Sequence, residues 1–154
     1  MIATPMPADR LILDRFIPYR LSIASNLVSD VIASAYESLF GLTIPEWRLI
    51  AVAAENDGIT QQEIGIATRM DKVTVSRAAI ALGHRHLIER RPNPEDRRSH
   101  LVVLTNDGRR LYADVAPKAL ELERRMFDRF DRAKLDAFMH MLRDIEAAAL
   151  DIEN

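Results

Sequence analysis

The feature that most constrains the fold is a pair of short helices predicted in the middle of the chain. Residues Thr60 to Glu63 have the form of a capping box, in which the threonine hydroxyl and the glutamate carboxylate bond N–H groups that the first helical turn leaves free. That helix is predicted to end near Thr68. Asp71 can cap a second helix that ends near His84, after a gap of only two residues. This spacing predicts a helix-turn-helix pair.

A hairpin is predicted directly after the helix pair. Two apolar runs, Leu87-Ile88 and Leu101 to Leu104, flank the turn-forming sequence PNPED, and such runs are typical of paired strands. A helix pair followed by a two-stranded hairpin is a winged helix-turn-helix. Glycine is scarce, with five residues, and most apolar residues recur at helical spacing. We therefore predict a mainly α fold class with a winged helix-turn-helix lobe and a β-hairpin wing.

Further helices are predicted on both sides of this lobe. Pro18 suits the first turn of the first helix, and Thr43 with Glu46 has capping-box form before the second. Thr105 begins the cap of the helix that follows the hairpin, and Pro117 is expected to cause a kink or a break in that helix. The predicted spans are about 18–40, 45–55, 105–129 and 132–152.

The terminal helices carry more apolar surface than one small lobe can cover. Packing within one chain is one explanation, and a homodimer is the other. We predict the homodimer. Residues 1–40 and 106–154 would then form a helical dimerisation region, and residues 41–105 would form the winged helix-turn-helix lobe.

Composition excludes several classes of protein. The chain has no cysteine, so disulfides, thiolate metal sites and cysteine redox sensing are excluded. Its four histidines lack a compact ligand spacing, and we predict neither a metal site nor a cofactor. No nucleophile–base arrangement or phosphate loop indicates an enzyme. The longest apolar run has six residues, and residues 1–10 do not resemble a signal peptide, so we expect a cytoplasmic protein without a membrane segment.

Positive charge is concentrated in one part of an acidic chain. The formal net charge is −2, yet residues 69–100 contain eight Lys and Arg against four acids. Residues 119–154 contain six against nine. Affinity for nucleic acid depends on local neutralisation of phosphates, so the overall acidity does not argue against it.

The second helix of the pair has residues suited to double-stranded DNA. Its apolar face is predicted to be core, and the members of that face are Val75, Ala79 and Leu82. Lys72, Thr74, Ser76 and Arg77 lie around the other side. Arginine can bond guanine bidentately in the major groove, while serine and threonine can bond bases or phosphates. An ordinary solvated helix face is the alternative.

The N-terminus of the first helix of the pair offers a second contact. Thr60, Gln61 and Gln62 lie where free N–H groups and the helix dipole attract phosphate. Capping alone is the alternative for Thr60.

The predicted hairpin tip carries Arg97 and Arg98, which could enter a minor groove. We expect Asp96 to pair with a neighbouring arginine and to hold the shape of the tip. Arg90 and Arg91 could contact phosphate or only solvate the outgoing strand. A solvated charged turn is the alternative for the whole tip.

With these motifs, residues 42–111 resemble the core of the MarR family of bacterial transcription regulators. The most specific pieces are Leu42-Thr43 with Trp47, the TVSR block at 74–77, and Asp96-Arg97-Arg98 followed by Leu104-Thr105 and Gly108. The resemblance implies a homodimer that binds a palindromic operator, most often as a repressor released by a small ligand. By position, it implies base contacts from Thr74, Ser76 and Arg77, wing contacts from Arg97 and Arg98 supported by Asp96, and phosphate contacts from Lys72 and Gln62.

The sequence also departs from the family pattern. Ile64-Gly65 stands where Leu-Ala is common, Ile80 and Ala81 replace polar residues of the recognition helix, and His86 replaces a glycine. The apolar pair motivates an alternative function, a dimeric winged-helix module that binds protein without sequence-specific DNA binding.

The family resemblance implies an effector pocket between the dimer helices and the lobe, in many members for aromatic acids or phenolic compounds. Tyr19, Tyr36, Trp47 and Arg48 are the candidate ligand-binding residues here, with Arg48 available for a carboxylate.

Overall fold

The computed structural model describes residues 10–154. Residues 1–9 lie outside this range, and they include most of the segment that was compared with a signal peptide. A short 3-10 helix, Leu13–Arg15, precedes the first long helix. The elements that follow are α1 (Ile17–Phe40), α2 (Ile44–Ala54), α3 (Gln61–Thr68), α4 (Lys72–His84), β1 (Ile88–Pro92), β2 (His100–Leu104), α5 (Asn106–Phe127) and α6 (Arg132–Glu153). The mainly α fold class with a two-stranded wing is confirmed.

The predicted caps are present at the helices of the lobe. Thr60 Oγ1 accepts the N–H of Glu63 at 3.1 Å, and the Glu63 carboxylate accepts the N–H of Thr60 at 3.1 Å. Asp71 accepts the N–H of Thr74 at 2.7 Å. These bonds fix the start of α3 and of α4, because each satisfies a donor that the first helical turn leaves free.

The predicted capping box at Thr43 is only half correct. Thr43 Oγ1 accepts the N–H of Glu46 at 3.3 Å, as expected. The Glu46 carboxylate, however, accepts a hydrogen bond from the Thr43 hydroxyl at 2.8 Å instead of from the Thr43 N–H.

The wing is longer on its outgoing side than the apolar pattern predicted. β1 pairs antiparallel with β2 from Ile88, opposite Leu104, to Pro92, opposite His100. The segment before α3 joins the same sheet, because Ile59 and Val102 exchange two backbone hydrogen bonds, of 3.2 and 2.8 Å. This bridge holds the N-terminus of α3 beside the wing.

The lobe has an apolar core shared by its helices and its wing. The predicted core face of α4 is confirmed, and Ala78 belongs to it as well. Among residues 10–154, eight large side chains are almost fully buried, and they are Leu42, Leu49, Ile50, Ile64, Val75, Leu82, Val102 and Val115. All but the last lie between α2 and the end of the wing or directly before α2. The core therefore holds α3, α4 and the wing in fixed positions.

The chain divides into two compact units, residues up to Val115 and Ala116–Asn154. Pro117 lies inside α5, which continues to Phe127, so the proline does not end the helix. Among residues 10–154, no single helix has the length and hydropathy to cross a bilayer. Helices α1 and α2 have them only when taken together, and the chain bends by 80° between the two. No group of three or more metal-ligating side chains forms within the same range.

Candidate nucleic-acid interface

Helix α4 has a buried face and an opposite, outward face. Val75, Ala78, Ala79 and Leu82 are buried. At 100° per residue, the positions opposite them are 73, 77, 80 and 84. Arg77 is exposed there, as predicted, and it lies between two exposed apolar side chains, Val73 and Ile80.

The other predicted contacts on α4 lie beside this outward face. Thr74 and Ser76 are half-buried on its two flanks, and Lys72 is exposed in the first turn. Sequence reasoning missed Val73, since a β-branched apolar residue next to Val75 looks like core. Helical periodicity could have found it, because position 73 falls opposite the buried positions.

The start of α4 carries a negative charge as well as positive ones. The N–H of Thr74 donates to Asp71 and holds the pKa of that carboxyl below its usual range, and the charge of Arg77 acts in the same direction. Asp71 is therefore ionised at neutral pH. It fixes the start of the helix through the N-terminal dipole, while Lys72 and Arg77 supply the positive charge.

A groove of about 520 Å³ separates the start of α3 from the wing. Gln61 and Gln62 line it from α3, and Arg90 and Arg98 line it from the wing. The groove also contains three carboxylates, and they are Glu63, Glu95 and Asp96. The Glu63 carboxylate already accepts the N–H of Thr60 in the capping box. Of the predicted phosphate contacts at the start of α3, Thr60 and Gln61 are half-buried and Gln62 is exposed, and the Thr60 hydroxyl is already bonded in the same box.

Hydrogen bonds made by side chains hold the wing tip. The predicted pairing of Asp96 with a neighbouring arginine is wrong. Asp96 Oδ1 accepts the backbone N–H of Arg98 at 2.9 Å, and no ion pair joins it to an arginine of the described chain. Asn93 accepts the N–H of Glu95 at 3.1 Å and donates to Ser99 Oγ at 2.9 Å. Asp96 thus shapes the tip, as predicted, but through a turn that short acidic side chains commonly form with the backbone two residues on.

The four wing arginines fall into two classes. Arg97 and Arg98 are exposed, and neither forms a side-chain hydrogen bond or ion pair with any other residue of 10–154. Arg90 projects toward the groove beside α3. Arg91 instead bonds Glu89 on the same strand, at 2.8 and 3.2 Å. Three arginines of the wing are therefore available to an anion, and one is already paired.

Two of the four candidate ligand residues contact each other. Tyr36 packs edge-on against Trp47 at 5.6 Å, and Trp47 stacks on Tyr112 of α5 at 5.7 Å. Tyr36 is 3% exposed, and burial raises its pKa. Sequence reasoning missed Tyr112, which no local pattern connects to α2.

The other two candidates are not members of this aromatic cluster. Arg48 is exposed on α2. Tyr19 precedes Tyr36 by 17 residues on the same helix, which places the two about 25 Å apart along its axis. The structure therefore does not bring all four residues together within one protomer.

A further arginine connects α4 to α1. Arg85, directly after α4, donates to the carbonyl oxygens of Phe40 and Gly41 at 3.1 and 3.0 Å. Gly41 ends α1 with φ +62°, a left-handed conformation that exposes these carbonyls. The end of α1 and the end of α4 are therefore tied by one side chain.

Known proteins share this architecture. The model of the MarR family matches residues 42–100. A MarR/EmrR family transcriptional regulator from Acinetobacter sp. ADP1 is 26% identical, with a TM-score of 0.85 over 92% of this chain and 99% of that one. Sco3205, a MarR family regulator from Streptomyces coelicolor solved with DNA, has a TM-score of 0.82 at 19% identity over 91% and 94% of the two chains. CouR from Rhodococcus jostii RHA1, solved with p-coumaroyl-CoA, has a TM-score of 0.79 at 23% identity over 88% and 95%. The last two are likenesses of fold.

Proposed function

The chain belongs to the MarR family of transcription regulators, which are not enzymes, and on that premise we propose that it is a homodimeric repressor. It binds an inverted-repeat operator in double-stranded DNA and is released by a small effector. The observation that carries this proposal is the arrangement of positive and polar side chains on one lobe. Arg77 projects from the outward face of α4, and Arg90 and Arg98 of the wing lie across a groove from the start of α3.

Each part of this surface suits one kind of DNA contact. Arg77, with Thr74 and Ser76 beside it, is proposed to contact bases in the major groove, where arginine bonds guanine bidentately. Lys72 and the start of α3 (Thr60, Gln61 and Gln62) are proposed to contact phosphates. Arg97 and Arg98 are proposed to enter the adjacent minor groove, with Asp96 holding the tip. Sco3205, which shares the fold, was solved in complex with DNA.

The proposed dimer rests on the terminal helices. In the 24 residues of α1, only Tyr36 is buried, and α6 buries none of its residues. We assign dimerisation to residues 1–40 and 106–154, of which 1–9 lie outside the described chain, and DNA binding to residues 41–105. Two-fold symmetry would place the two α4 helices about 34 Å apart, one turn of DNA. An inverted repeat is the sequence that such a dimer matches.

The effector is proposed to be a small aromatic acid, a phenolic compound or a CoA thioester of such an acid. The Tyr36–Trp47 contact offers aromatic surface, and Arg48 is exposed on the same helix as Trp47. CouR, of similar fold, was solved with p-coumaroyl-CoA. Arg85 supplies a route from the effector to the DNA, since it ties the end of α1 to the end of α4. If Tyr19 contributes to the pocket, its distance from Tyr36 requires the Tyr19 of a second copy.

The experiment is selection of duplexes from a random library, followed by binding of the enriched sequence at several salt concentrations. Arg77→Ala should weaken binding to the enriched sequence about 5- to 150-fold, corresponding to about 1–3 kcal/mol, and should affect random DNA less. Arg98→Ala should weaken both kinds of binding and lower the salt slope by about one unit.

Arg91→Ala is the matched control, because Arg91 already bonds Glu89 and should change binding little. If no inverted repeat is enriched and binding does not depend on salt, the proposed function is wrong. Screening aromatic acids and their CoA thioesters by thermal shift, then testing each hit for release of DNA, addresses the effector separately.

A further inference from the structure

The outward face of α4 carries two apolar side chains that the proposed DNA contacts do not explain. Val73 is 57% exposed and Ile80 is 51% exposed. With Arg77 they occupy positions i, i+4 and i+7, which form one continuous stripe along the helix. The stripe is therefore apolar, cationic, apolar, in that order from the start of the helix.

Exposure to solvent alone does not explain valine and isoleucine at these positions. Valine and isoleucine form helices less well than lysine or glutamate, and their exposed methyl groups face water at a cost. They also do not form a continuous apolar patch of the kind that binds a partner helix, because the guanidinium of Arg77 lies between them. Arg77 makes this face positive, and Lys72 adds a second positive charge beside it in the first turn. Its chemistry therefore suits a surface that alternates methyl groups with hydrogen-bond acceptors and carries negative charge.

The major groove of DNA is such a surface. Thymine is the base that presents a methyl group there, and guanine presents the paired acceptors that arginine bonds. We propose that Val73 and Ile80 contact thymine methyl groups on either side of the base contacted by Arg77, an inference that rests on the proposed DNA-binding function. Ile80, which suggested a protein-binding module from sequence alone, is then a specificity residue.

Helix geometry limits where those thymines lie. Val73 and Ile80 are separated by seven residues, or about 10.5 Å along the helix axis. Base pairs rise by about 3.4 Å, so the two contacts are about three steps apart where the helix follows the groove. Each half-site should contain a guanine flanked by two thymines at about this separation, on either strand.

The test compares thymine with deoxyuridine, which pairs identically and lacks only the methyl group. In the sequence enriched by the wild-type protein, each thymine is replaced in turn. At two positions per half-site the replacement should raise Kd about fourfold, which corresponds to about 0.8 kcal/mol for one buried methyl group. Elsewhere it should change Kd little.

Two variants assign these positions to their side chains. Ile80→Ala should abolish the thymine–deoxyuridine difference at one position, and Val73→Ala should abolish it at the other. Both residues are exposed, so both variants should fold, which circular dichroism and thermal melting will verify. Ile152→Ala is the matched control, because Ile152 is 88% exposed but lies at the end of α6, outside the winged helix-turn-helix lobe. It should leave every thymine–deoxyuridine ratio unchanged.

The outcomes separate this inference from the function beneath it. If an inverted repeat is enriched but deoxyuridine is tolerated at every position, the methyl contacts do not exist and the regulator function stands. The same conclusion follows if both alanine variants bind the operator as tightly as the wild type. If no repeat is enriched and binding does not depend on salt, the proposed function itself fails.

Discussion

Helices α4 and α6 both have an apolar stripe, but they differ in how much of it one chain covers. α4 buries four residues against its neighbours in the lobe. α6 is longer, at 22 residues, and buries none. Phe138 and Met141 of α6 are 46% and 60% exposed. A helix of that length with an uncovered apolar face is marginal in water, because helices in proteins derive most of their stability from packing.

The difference indicates that the two regions are stabilised in different ways. The lobe contains its own core, so its free energy of unfolding should not depend on protein concentration. The terminal helices should gain most of their stability from a second copy, and their contribution should increase with concentration. Substitutions in the two regions can therefore be distinguished by melting each variant at two protein concentrations.

The largest expected effect is from a charge on the apolar face of α6. Phe138→Glu should raise the Kd of the dimer at least about a hundredfold, corresponding to about 2.7 kcal/mol, because a carboxylate would be buried without a partner. Analytical ultracentrifugation measures the change. His140→Glu introduces the same carboxylate about 160° around α6 from Phe138 and should leave the dimer intact. If the wild-type protein is monomeric at tens of micromolar, the terminal helices do not depend on a second copy for their stability.

The next effect tests the contact between the lobe and the start of α5. A Cβ atom at Gly108 would lie 2.1 Å from the carbonyl oxygen of Leu87, a distance that no side chain can occupy. Gly108→Ala should lower the free energy of unfolding by about 3 kcal/mol, since α5 and the start of the wing must separate. Urea denaturation at two protein concentrations should give the same loss.

Gly83 provides the control for Gly108, because nothing lies within 4 Å of its added Cβ. Gly83→Ala should be neutral or should stabilise the protein by up to about 1 kcal/mol, as alanine does inside helices. Equal losses from both substitutions would show that the close approach at Leu87 does not exist.

The predictable parts of this molecule are those that depend on local sequence. The caps at Thr60 and Asp71 each join residues three apart, so their side chains must meet once a helix forms. The hairpin followed from two apolar runs and a turn. Its outgoing strand was predicted too short, because charged residues of β1 pair with apolar residues of β2 only through the backbone.

The parts that could not be predicted depend on contacts distant in sequence or on competition among nearby groups. The stacking of Trp47 on Tyr112 joins residues 65 positions apart. Asp96 had arginines beside it, but the N–H of Arg98 lay closer to its carboxylate than either guanidinium. The individual DNA and effector contacts remain predictions, since they involve molecules other than this chain.

A smaller effect is expected at the cap that begins α3. Thr60→Ala removes the acceptor for the N–H of Glu63 and should lower the free energy of unfolding by about 1 kcal/mol. Thr60→Ser retains the hydroxyl and should lose little. Urea denaturation should show the loss at any protein concentration, because α3 belongs to the lobe. A loss that vanished at high concentration would mean that the lobe, too, depends on the dimer.

The smallest effect is a pH dependence at the start of α4. The pKa of Asp71 is lowered by the N–H of Thr74, so the ionised carboxyl stabilises the folded lobe. This stabilisation is complete above about pH 4, the ordinary value for aspartate, and is lost as the pH falls through the lowered pKa of the folded state. Asp71→Asn keeps an acceptor for the cap but cannot titrate. The difference in urea midpoint between wild type and variant should therefore shrink from about pH 6 to about pH 3. A difference that stayed constant over this range would show that the cap acts through its hydrogen bond alone, and that the charge of Asp71 contributes nothing to the lobe.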